Sequence, residues 1–516
     1  MPTDAPIPAE TLRLIERLRD PAVYPHPTAT IRLIETHISW VFLTGPFVYK
    51  LKKPLDFGFL DYTSLAKRRR FCEEEIRVSG RFAPELYVAA VPITGTPAEP
   101  RMAGDGPAIE WAVKLVQFDE ADRLDARFAA GRLTGSDCER LGAAIAAVEE
   151  GLAVATPAEA WGSAGSVCEA VAINLGQLRD RRPDAADRVG RIETWLFARL
   201  AARAEVIECR RAKGRVRECH GDLHLANLVL HSGRMTAFDA IEFSPSLRWI
   251  DVANDVAFLV MDLESRDRPD LAAIVRSSWM EAADDHAAAV VLPVYEVYRA
   301  VVRAAVAALR SDGTAARAES DRYLELAERL MRPRRPVLYA TCGVSGSGKT
   351  TLAAGLVAAA HAVRLRSDVE RKRLAGLRPT DRPVNEPDEA RLYDPALTRR
   401  VYRRLAELAE ALLEAGSSVV VDAACLRRWQ RGELATVARK TGVPLVWLAC
   451  DQPEEVVLGR VAARLIAGGD ASDASVEIVR RQLKVREPIT DDELTAAGLA
   501  ARLVRVTEAD LDDSRS

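Results

Sequence analysis

The sequence has no long uncharged apolar run, no closely spaced cysteines and no large excess of charge of either sign. The longest apolar segment, residues 287–309, contains a proline and three charged residues, which predicts a packed helix instead of a membrane span. The eight cysteines are scattered and form no C-x-x-C pair, which argues against a disulfide framework or a zinc site and favours reduced thiols in the cytoplasm. A net charge of −3 gives no electrostatic reason to expect a dedicated nucleic-acid or membrane partner.

The amino terminus also lacks the basic start and apolar core of a signal peptide, and no internal repeat is visible. The composition is that of a folded protein, with 48% hydrophobic and 28% charged residues. A chain of 516 residues is too long for one ordinary core, so we expect about three compact units.

The strongest local pattern is the run from Gly343 to Thr350, which has the spacing G-x-x-x-x-G-K-[ST] of a phosphate-binding loop. It follows an apolar run, residues 337–342, that is typical of a buried strand, and it precedes a helix-forming run. Glycines let the backbone N–H groups converge on phosphate oxygens, the lysine reaches the β- and γ-phosphates, and the threonine hydroxyl can bind Mg²⁺. The alternative is a glycine turn between strand and helix. The expected nucleotide-binding residues are Gly343, Ser345, Gly346, Ser347, Gly348, Lys349, Thr350 and Thr351.

Further apolar runs in the last third of the chain end at polar residues, and helical patterns separate them. These runs are residues 363–365, 418–421 and 444–449. Alternation of strands and helices predicts a doubly wound parallel sheet, in which ligands bind at the carboxyl ends of strands. Asp368 and Asp422 follow two of the runs, so both are expected at that edge.

Residues 337–507 resemble the P-loop small-molecule kinases, AAA-type ATP-binding proteins that include gluconate kinases, zeta-type toxins and polynucleotide kinases. Besides the phosphate loop, the resemblance rests on Ser-Asp-x-x-Arg after the second strand, here Ser367 to Arg371. It implies that Asp368 takes the proton of the acceptor hydroxyl and that Arg371 binds substrate or phosphate. Lys349 is implied to act in catalysis as well as in binding.

The same resemblance implies that Asp422 acts on Mg²⁺ through water or on the substrate. It also implies that Arg460 and Arg464, four residues apart on a predicted helix, close over the transferring phosphate as lid arginines. Two plainer interpretations stay open: Asp368 as a helix N-cap, and the two arginines as surface charges.

The first third of the chain has strand character. Residues 37–52 predict a β-hairpin whose second strand carries Lys50 and Lys52, and residues 64–82 predict a helix with Glu75 on its otherwise apolar face. A buried carboxylate is rarely tolerated without a cation, so a strand lysine is expected to pair with Glu75. A solvated strand face would explain the lysines without any function.

A second polar cluster interrupts short apolar strands at His220, Asp222 and Asn227, and Asp239 ends the next strand. The separation of Asp222 and Asn227 equals that in the kinase catalytic loop H-R-D-x-x-x-x-N. Phosphoryl transfer needs one carboxylate for the hydroxyl proton, and an amide and a second carboxylate for the metal ions. An Asx-rich turn is the alternative.

Residues 30–330 resemble the aminoglycoside phosphotransferase-like branch of the protein-kinase fold, whose signature H-G-D-x-H-x-x-N is present from His220 to Asn227. The resemblance implies that Asp222 is the catalytic base and that Asn227 and Asp239 are the magnesium ligands. It further implies that Lys50 and Glu75 form the ion pair over the nucleotide phosphates.

Within this resemblance, His220 is implied to be a scaffold residue and Asp251 a structural aspartate near the start of a helix. The chain departs from the kinase pattern in two places. No glycine-rich loop occurs between the first two strands, where residues 35–39 stand, and Ala240-Ile241 replaces Phe-Gly after the metal aspartate.

Two long helices are predicted over residues 287–330. Glu296, Arg299 and Arg303 share one helix face, which could line a substrate cleft beside Asp222. A solvated, salt-bridged face is the favoured interpretation.

Together the patterns predict an α+β protein-kinase-like bilobal domain followed by an α/β P-loop NTPase domain with a doubly wound parallel sheet. The expected boundaries are an N-terminal helical segment at 1–30, a small lobe at 31–118, a helical large lobe at 119–332, a linker at 333–336, a P-loop kinase domain at 337–507 and a tail at 508–516.

The expected function is ATP-dependent phosphotransfer at two sites, with ATP and Mg²⁺ as cofactors and hydroxyl groups of small polar molecules as acceptors. Sugars, aminoglycoside-like compounds and nucleotide sugars are the acceptor classes considered, and no oligomeric state is assigned. One alternative is that one domain binds nucleotide without turnover and regulates the other. A second is a nucleic-acid 5′-hydroxyl kinase, suggested by basic clusters at 364–373 and 399–404 but disfavoured because no aromatic-lined groove accompanies them.

Overall fold

A computed structural model describes residues 7–58, 60–310, 313–379, 381, 391–467, 475–497 and 501–506. The chain divides into two compact units. The first unit comprises Met1–Thr134, Ala144–Asp262 and Val294–Leu324, and the second comprises Gly135–Ala143, Leu263–Pro293 and Glu325–Ser516. The second unit therefore includes segments that precede the expected linker at 333–336, while the expected tail lies outside the described residues.

The elements are numbered in chain order. The α-helices are α1 Ala9–Arg17, α2 Leu65–Ser79, α3 Leu124–Ala129, α4 Gly135–Glu150, α5 Ala164–Arg181, α6 Ala186–Ala201, α7 Ala204–Ala212, α8 Pro245–Arg248, α9 Val252–Ser265, α10 Pro269–Ala282, α11 Leu292–Arg310, α12 Thr314–Leu330, α13 Lys349–Ala359, α14 Ser367–Leu374, α15 Pro395–Glu414, α16 Arg428–Thr441, α17 Glu454–Ala467, α18 Val476–Val485 and α19 Asp491–Ala497. The strands are β1 Arg32–Glu35, β2 Ser39–Leu43, β3 Phe47–Lys52, β4 Tyr87–Thr96, β5 Glu99–Met102, β6 Ala108–Val116, β7 Val216–Glu218, β8 Leu228–His231, β9 Arg234–Ala237, β10 Trp249–Asp251, β11 Leu338–Cys342, β12 Val363–Arg366, β13 Val419–Asp422, β14 Leu445–Cys450 and β15 Arg502–Val506. Within the described residues, no helix is both long and apolar enough to span a membrane.

The first unit begins with an antiparallel sheet in the order β1-β2-β3-β6-β4-β5. β2 and β3 form the expected hairpin, and its register places Val41 opposite Lys50 and Ser39 opposite Lys52. Since alternate residues of a strand point to the same face, both lysines lie on one side of β3. The hairpin is confirmed, whereas the solvated lysine face is wrong because Lys52 is only 1% exposed.

Helix α2 begins directly after Ser64, whose hydroxyl accepts a hydrogen bond from the Lys67 backbone N–H at 3.3 Å. This N-cap satisfies one donor of the first turn, as the sequence predicts. The helix packs on β4 and β6 and buries Cys72, Glu75 and Val78. Glu75 therefore lies between helix and sheet, where a carboxylate needs cations.

Two small antiparallel ribbons place the polar loops of the first unit. β7 pairs with β10, and β8 pairs with β9. The loop of residues 219–227 connects β7 to β8, and β9 leads directly into Asp239. α9 follows β10 and is buried along nearly its whole length. The two loops are thus held at the ends of short strands above a buried helix.

The charged face predicted on α11 is not solvated. Glu296 and Arg299 are 2% and 5% exposed. Arg299 donates hydrogen bonds to Asn254 Oδ1 at 2.9 Å and to the Gly221 carbonyl at 3.2 Å. The favoured interpretation of this face is therefore wrong, because helical spacing reveals which residues share a face but not what the rest of the fold packs against it.

The second unit contains a parallel sheet in the order β12-β13-β11-β14-β15. The central strand β11 ends at Cys342, directly before the phosphate loop. Arg366 at the end of β12 is in register with Asp422 at the end of β13. Because parallel strands end at one edge of a sheet, the polar residues after β11, β12 and β13 converge there. The predicted parallel sheet is confirmed.

Helix α10 belongs to the second unit, although it precedes the phosphate loop in the chain. It packs against α13 and the edge strand β12, with Ala273 in the same apolar cluster as Val357 and Val420. Its Ser277 hydroxyl accepts a hydrogen bond from the Arg364 backbone N–H at 3.0 Å. One backbone donor of the edge strand is thereby satisfied.

A buried ion pair in the first unit provides a stability test. Arg210 of α7 donates to both carboxylate oxygens of Asp251 of β10, at 2.7 and 2.8 Å. We expect Arg210→Met to lower the free energy of unfolding by about 3–5 kcal/mol, because it leaves the Asp251 carboxylate buried without this cation. Urea unfolding followed by tryptophan fluorescence measures the change. Arg69→Met, which breaks the exposed Arg69–Glu73 pair and the contact of its guanidinium with the Trp111 ring, is the control and should cost at most about 1 kcal/mol.

Equal stability of Arg210→Met and Arg69→Met would contradict this account. Asp251→Asn should also destabilise the unit, since Arg210, which is 3% exposed, then loses this carboxylate.

Candidate active sites

The phosphate loop of the second unit has the backbone that its glycines predict. Gly343, Gly346 and Gly348 have φ angles of +150°, +85° and +93°. A Cβ atom on Gly343 would lie 2.6 Å from the Cys450 carbonyl oxygen, and one on Gly346 would lie 2.8 Å from the Val457 carbonyl oxygen. Other residues would therefore strain the loop, which leads directly into the N-terminus of α13.

Protein groups occupy part of this loop. Lys349 Nζ donates to the Val344 carbonyl at 2.8 Å, and the Ser345 backbone N–H donates to Gln482 Oε1 of α18 at 2.7 Å. The Ser347 hydroxyl is buried and has no hydrogen-bond partner among the described residues. Such a polar group is costly unless a ligand satisfies it, so the loop fits a phosphate.

Thr350 and Asp422 are brought together, as expected for two magnesium-binding residues. The Thr350 hydroxyl lies near the Asp422 carboxylate, which is 7% exposed at the end of β13. Burial raises the pKa of Asp422, and Lys349, Arg364 and Thr350 offset only part of the rise. A hydroxyl and a carboxylate are oxygen ligands of the kind that Mg²⁺ binds beside nucleotide phosphates, so the pair fits the ion.

The expected acceptor residues line the same cavity as the phosphate loop. This cavity has a volume of about 480 Å³, and Asp368 and Arg371 belong to its wall together with Lys349, Asp422 and Arg460. The Arg464 side chain lies outside the described residues. The sequence-based residues of this unit that the structure describes therefore share one site.

Arg371 is held from three sides. Its Nη1 donates to the Leu392 carbonyl at 3.0 Å and to Thr398 Oγ1 at 3.1 Å, and its guanidinium stands 5.2 Å from the Tyr393 ring centre. Its Nε is buried without a hydrogen-bond partner among the described residues. The side chain is thus fixed in place, and its Nε–H remains for a ligand.

Two further contacts at this cavity were not foreseen. Arg366 lines the wall, and both oxygens of Glu281 on α10 pair with it, the Nε bond measuring 2.8 Å. Gln482 reaches the phosphate loop from α18, which Val479 anchors in an apolar cluster. Neither contact has a sequence signal, because each joins segments that only the fold brings together.

In the first unit, side chains of α9 hold the predicted catalytic loop, residues 219–227. The backbone N–H groups of His220 and Gly221 donate to the Asp255 carboxylate at 2.8 and 2.9 Å, and that of Leu225 donates to Asp262 at 3.0 Å. The structural aspartate of this loop is therefore Asp255, with Asp262 two turns away, and not the expected Asp251. Polar residues seven apart in a strongly apolar helical run are a signal that could have identified both.

His220 is the scaffold residue that the resemblance implies. Its Nε2 lies 2.9 Å from the Phe238 carbonyl oxygen, and its Nδ1 accepts a hydrogen bond from the Asp222 backbone N–H at 3.3 Å. Burial lowers the pKa of His220, so the ring is neutral and donates from Nε2. The imidazole thereby ties Asp222 to the residue before Asp239.

Asp222 and Asn227 are in direct contact. The Asn227 side-chain amide donates to Asp222 Oδ2 at 2.9 Å and to the Asp222 carbonyl at 3.0 Å, and His224 Nε2 lies 3.3 Å from the same carboxylate. Burial raises the pKa of Asp222, but the interaction with His224 and the charge of Arg303 lower it, and the net pKa is below its usual range. The carboxylate is ionised and available to a hydroxyl proton.

The predicted lysine–glutamate pair is formed, and it extends to Asp239, the predicted metal ligand. Lys50 Nζ donates to Glu75 Oε1 at 3.0 Å and makes a short contact with Asp239 Oδ1. Asp239 has a φ of +63°, and its backbone N–H donates to the Tyr87 hydroxyl at 2.8 Å. A non-glycine residue in this region is strained, and such strain is concentrated at functional sites.

The donor set of this loop fits Mg²⁺. Both donations of the Asn227 amide go to Asp222, which leaves the Asn227 carbonyl oxygen as an acceptor, and Asp239 supplies a carboxylate. Amide and carboxylate oxygens are suitable ligands for this ion. The Lys50 contact with Asp239 shows that one of these oxygens carries a compensating cation.

Comparisons with known proteins agree with this class of fold. Residues 338–489 match the family model described as "AAA domain". Together with the strand order, this match confirms the predicted P-loop domain, and the sheet, α2 and the helical remainder of the first unit confirm the predicted kinase-like architecture. The family match and the intact loop support an ATP-dependent kinase.

Individual known proteins are similar to different shares of the chain. The uncharacterized protein Rv2004c of Mycobacterium tuberculosis is 29% identical over 453 residues, which is 86% of this chain and 88% of that protein. A sugar kinase from Janibacter sp. is 24% identical, covering 36% of this chain and 92% of its own, with a TM-score of 0.24. A choline/ethanolamine kinase family protein from Mesorhizobium loti is 14% identical, covering 62% and 95%, with a TM-score of 0.36.

The contact of Gln482 with the phosphate loop leads to a binding prediction. We expect Gln482→Ala to bind ADP about fivefold more tightly at the second unit, because phosphate no longer displaces a hydrogen bond worth about 1 kcal/mol. Isothermal titration measures the affinity, and the heat lost in Lys349→Ala identifies this site. Gln430→Ala is a matched control, since Gln430 lines the same cavity but accepts its hydrogen bond from the Arg427 backbone. Unchanged ADP affinity in Gln482→Ala would contradict competition at this N–H.

Proposed function

We propose that the chain is an ATP-dependent phosphotransferase with one transfer site in each unit, acting on hydroxyl groups of small polar molecules. The proposal rests on the cavity of the second unit, because Lys349, Asp368 and Asp422 all line it. A phosphate-binding loop alone would fit any nucleotide-hydrolysing protein. A carboxylate for the acceptor and one for the metal in the same cavity favour transfer to a hydroxyl.

In the second unit, Asp368 accepts the proton of the acceptor hydroxyl. The hydroxyl oxygen attacks the γ-phosphorus of ATP, and the bond between this phosphorus and the ADP oxygen breaks. Lys349 moves from the Val344 carbonyl to the phosphates, and the N–H groups of the loop bind the phosphate oxygens. Thr350 and Asp422 would hold Mg²⁺, which would neutralise phosphate charge. Arg371, fixed by Leu392 and Thr398, orients the acceptor or the transferred phosphate.

In the first unit, Asp222 takes the hydroxyl proton in the same way. The Asn227 amide and the neutral His220 ring hold its carboxylate and backbone in place before the acceptor arrives, so little reorganisation is needed during transfer. Asn227 and Asp239 would hold Mg²⁺, and Lys50 would bind the nucleotide phosphates from its position beside Glu75.

The lining of the second cavity favours an acceptor that carries an anionic group. Arg366, Arg427 and Arg481 belong to the wall in addition to the phosphate-directed Lys349 and Arg460. With Arg371, six guanidinium and ammonium groups line the cavity, and even with Arg366 paired to Glu281 the remaining five exceed the two carboxylates, Asp368 and Asp422, on the same wall. A hydroxylated carboxylate or phosphate ester would balance this charge, whereas a cationic aminoglycoside would not.

One observation favours the regulatory alternative for the first unit. β1 and β2 are joined only by residues 36–38, and the Thr36 hydroxyl and backbone N–H are engaged with the Ser39 carbonyl. This turn offers no run of backbone donors to cover the nucleotide phosphates. The first unit would then bind nucleotide without turnover and control the second.

The experiment measures ATP consumption with sugars, sugar acids, amino sugars, aminoglycosides, nucleotide sugars and 5′-hydroxyl oligonucleotides. The parent is compared with Lys349→Ala, with Asp222→Asn and with the double variant. We expect each single variant to lose turnover of a different acceptor by about a hundredfold or more, because each removes a group that acts in the transition state. Glu73→Gln on the exposed surface of α2 is the control and should match the parent.

The outcomes separate the alternatives. Full turnover in Asp222→Asn with every acceptor would leave the first unit without a catalytic role and support regulation. Transfer confined to oligonucleotides, with steep salt dependence, would support a nucleic-acid kinase. No acceptor-dependent consumption by the parent would contradict the proposed function.

A further inference from the structure

The lysine–glutamate pair of the first unit is part of a larger buried cluster. Lys52 Nζ donates to Glu75 Oε2 at 2.7 Å and forms a short ion pair with Glu242. The Tyr62 hydroxyl makes a short hydrogen bond to the same Glu242 oxygen and lies 3.5 Å from Lys52 Nζ. Lys52, Tyr62 and Glu75 are at most 1% exposed, and Glu242 is 4% exposed.

The two strand lysines share one glutamate. Lys50 takes Oε1 of Glu75, and Lys52 takes Oε2. Without Glu242, this interior would hold two ammonium groups around one carboxylate, apart from Asp239, which is the expected metal ligand. Glu242 supplies the charge that balances Lys52, so Glu75 remains available to Lys50 when a metal ion takes Asp239.

The cluster also fixes the segment that carries Asp239. Lys50 and Lys52 are two residues apart, about 7 Å, on one face of β3. They pair with Asp239 and Glu242, which are three residues apart on the loop after β9. Two parallel ion pairs therefore join the strand to this loop.

The loop after β9 lacks the Phe-Gly that follows the metal aspartate in protein kinases, where packing of the phenylalanine sets the active state. Here Ala240 and Ile241 follow, and the next polar side chain is Glu242. The burial of Glu242 against Lys52 and Tyr62 gives the loop an anchor of a different chemical kind.

We propose that Glu242, with Lys52 and Tyr62, is a positioning group that holds the Asp239 loop against β3 and so sets the geometry of the metal site and of Lys50. This inference rests on the proposed function of the first unit. None of the three residues needs to touch nucleotide. Their role is to keep Asp239 and Lys50 where the metal and the phosphates require them.

The test uses full-length protein carrying Lys349→Ala, so that nucleotide binding reports the first unit. We expect Glu242→Gln to weaken binding of Mg²⁺·AMP-PNP about tenfold and to raise the Mg²⁺ concentration at half-saturation by a similar factor. Binding of AMP-PNP without Mg²⁺ should change less, because the Asp239 position matters most with the metal bound. The amide substitution keeps the shape of the side chain but removes its charge.

The matched control is Glu110→Gln. Glu110 is 5% exposed, and its carboxylate pairs with Arg68 of α2 at 2.8–2.9 Å, so it is a buried ion-pair glutamate of the same unit. Its substitution should lower thermal stability without changing the Mg²⁺ half-saturation. A shift of equal size in both variants would reduce the Glu242 effect to general destabilisation and overturn the positioning role.

Hydrogen exchange provides two further comparisons that do not depend on nucleotide. Backbone hydrogen exchange over residues 238–243 should be faster in Glu242→Gln and unchanged in Glu110→Gln, and Tyr62→Phe should give a smaller acceleration. In the same measurement, the double variant Lys52→Met with Glu242→Gln should exchange no faster than Lys52→Met alone, because the two residues act as a pair.

These readouts separate the two ideas. If the Lys349→Ala protein binds no nucleotide but hydrogen exchange is faster in Glu242→Gln, the proposed function of the first unit is contradicted and only the anchoring of the loop is supported. If the Lys349→Ala protein binds nucleotide, and Glu242→Gln changes neither the Mg²⁺ concentration at half-saturation nor the hydrogen exchange, the positioning inference alone is contradicted.

Discussion

The first unit depends on a charge balance that is completed where water is excluded. Glu75 is fully buried on α2, and it is tolerated only because Lys50 and Lys52 stand on one face of β3. Burial lowers the pKa of each lysine, but the carboxylates around them raise it by more, so both stay charged. Because Lys50 and Lys52 alternate along β3 and lie on one face, this strand binds α2 through Glu75 and the loop after β9 through Asp239, the predicted metal ligand.

Buried charged side chains also hold the predicted catalytic loop. Asp255 and Asp262 of a buried helix accept backbone N–H groups from the two ends of the loop, while Arg299 of α11 donates to the Gly221 carbonyl between them. Gly221 has a φ of +85°, and a Cβ there would lie 2.7 Å from the Leu247 carbonyl. The loop is thus fixed from below by side chains, and the Asp222 carboxylate is left on its open side.

Sequence alone was sufficient where the required chemistry is local. The spacing of Gly343 to Thr350, the Asp222–Asn227 separation and the strand alternation at Lys50 all concern neighbours along the chain, and the structure brings each set together. The β-hairpin, the Ser64 N-cap and the parallel sheet followed from the same kind of pattern. Residue roles at these positions remain predictions, since placement shows proximity and not turnover.

Sequence failed where a partner comes from a distant element. The helical spacing of Arg299 is that of a salt-bridged surface and predicted a solvated side chain, and the resemblance pointed to Asp251, whereas Asp255 of α9 holds the loop. Asp251 instead forms an ion pair with Arg210 of α7. Choosing between such residues requires the packing of the whole unit, because a buried polar group is identified by the group that satisfies it.

The second unit extends this point to the cavity itself. Arg366 belongs to the wall beside Asp368, yet its guanidinium is held by Glu281 on α10, a helix that precedes the phosphate loop by more than fifty residues. Burial raises the pKa of Glu281, but Arg366, Arg364 and Arg373 lower it by more, so the anchor is a carboxylate. The charge that this wall presents to an acceptor is therefore set in part by α10, outside the segment that carries the nucleotide motifs. A search for the acceptor that considers only those motifs would miss one of the groups that orient the cationic wall.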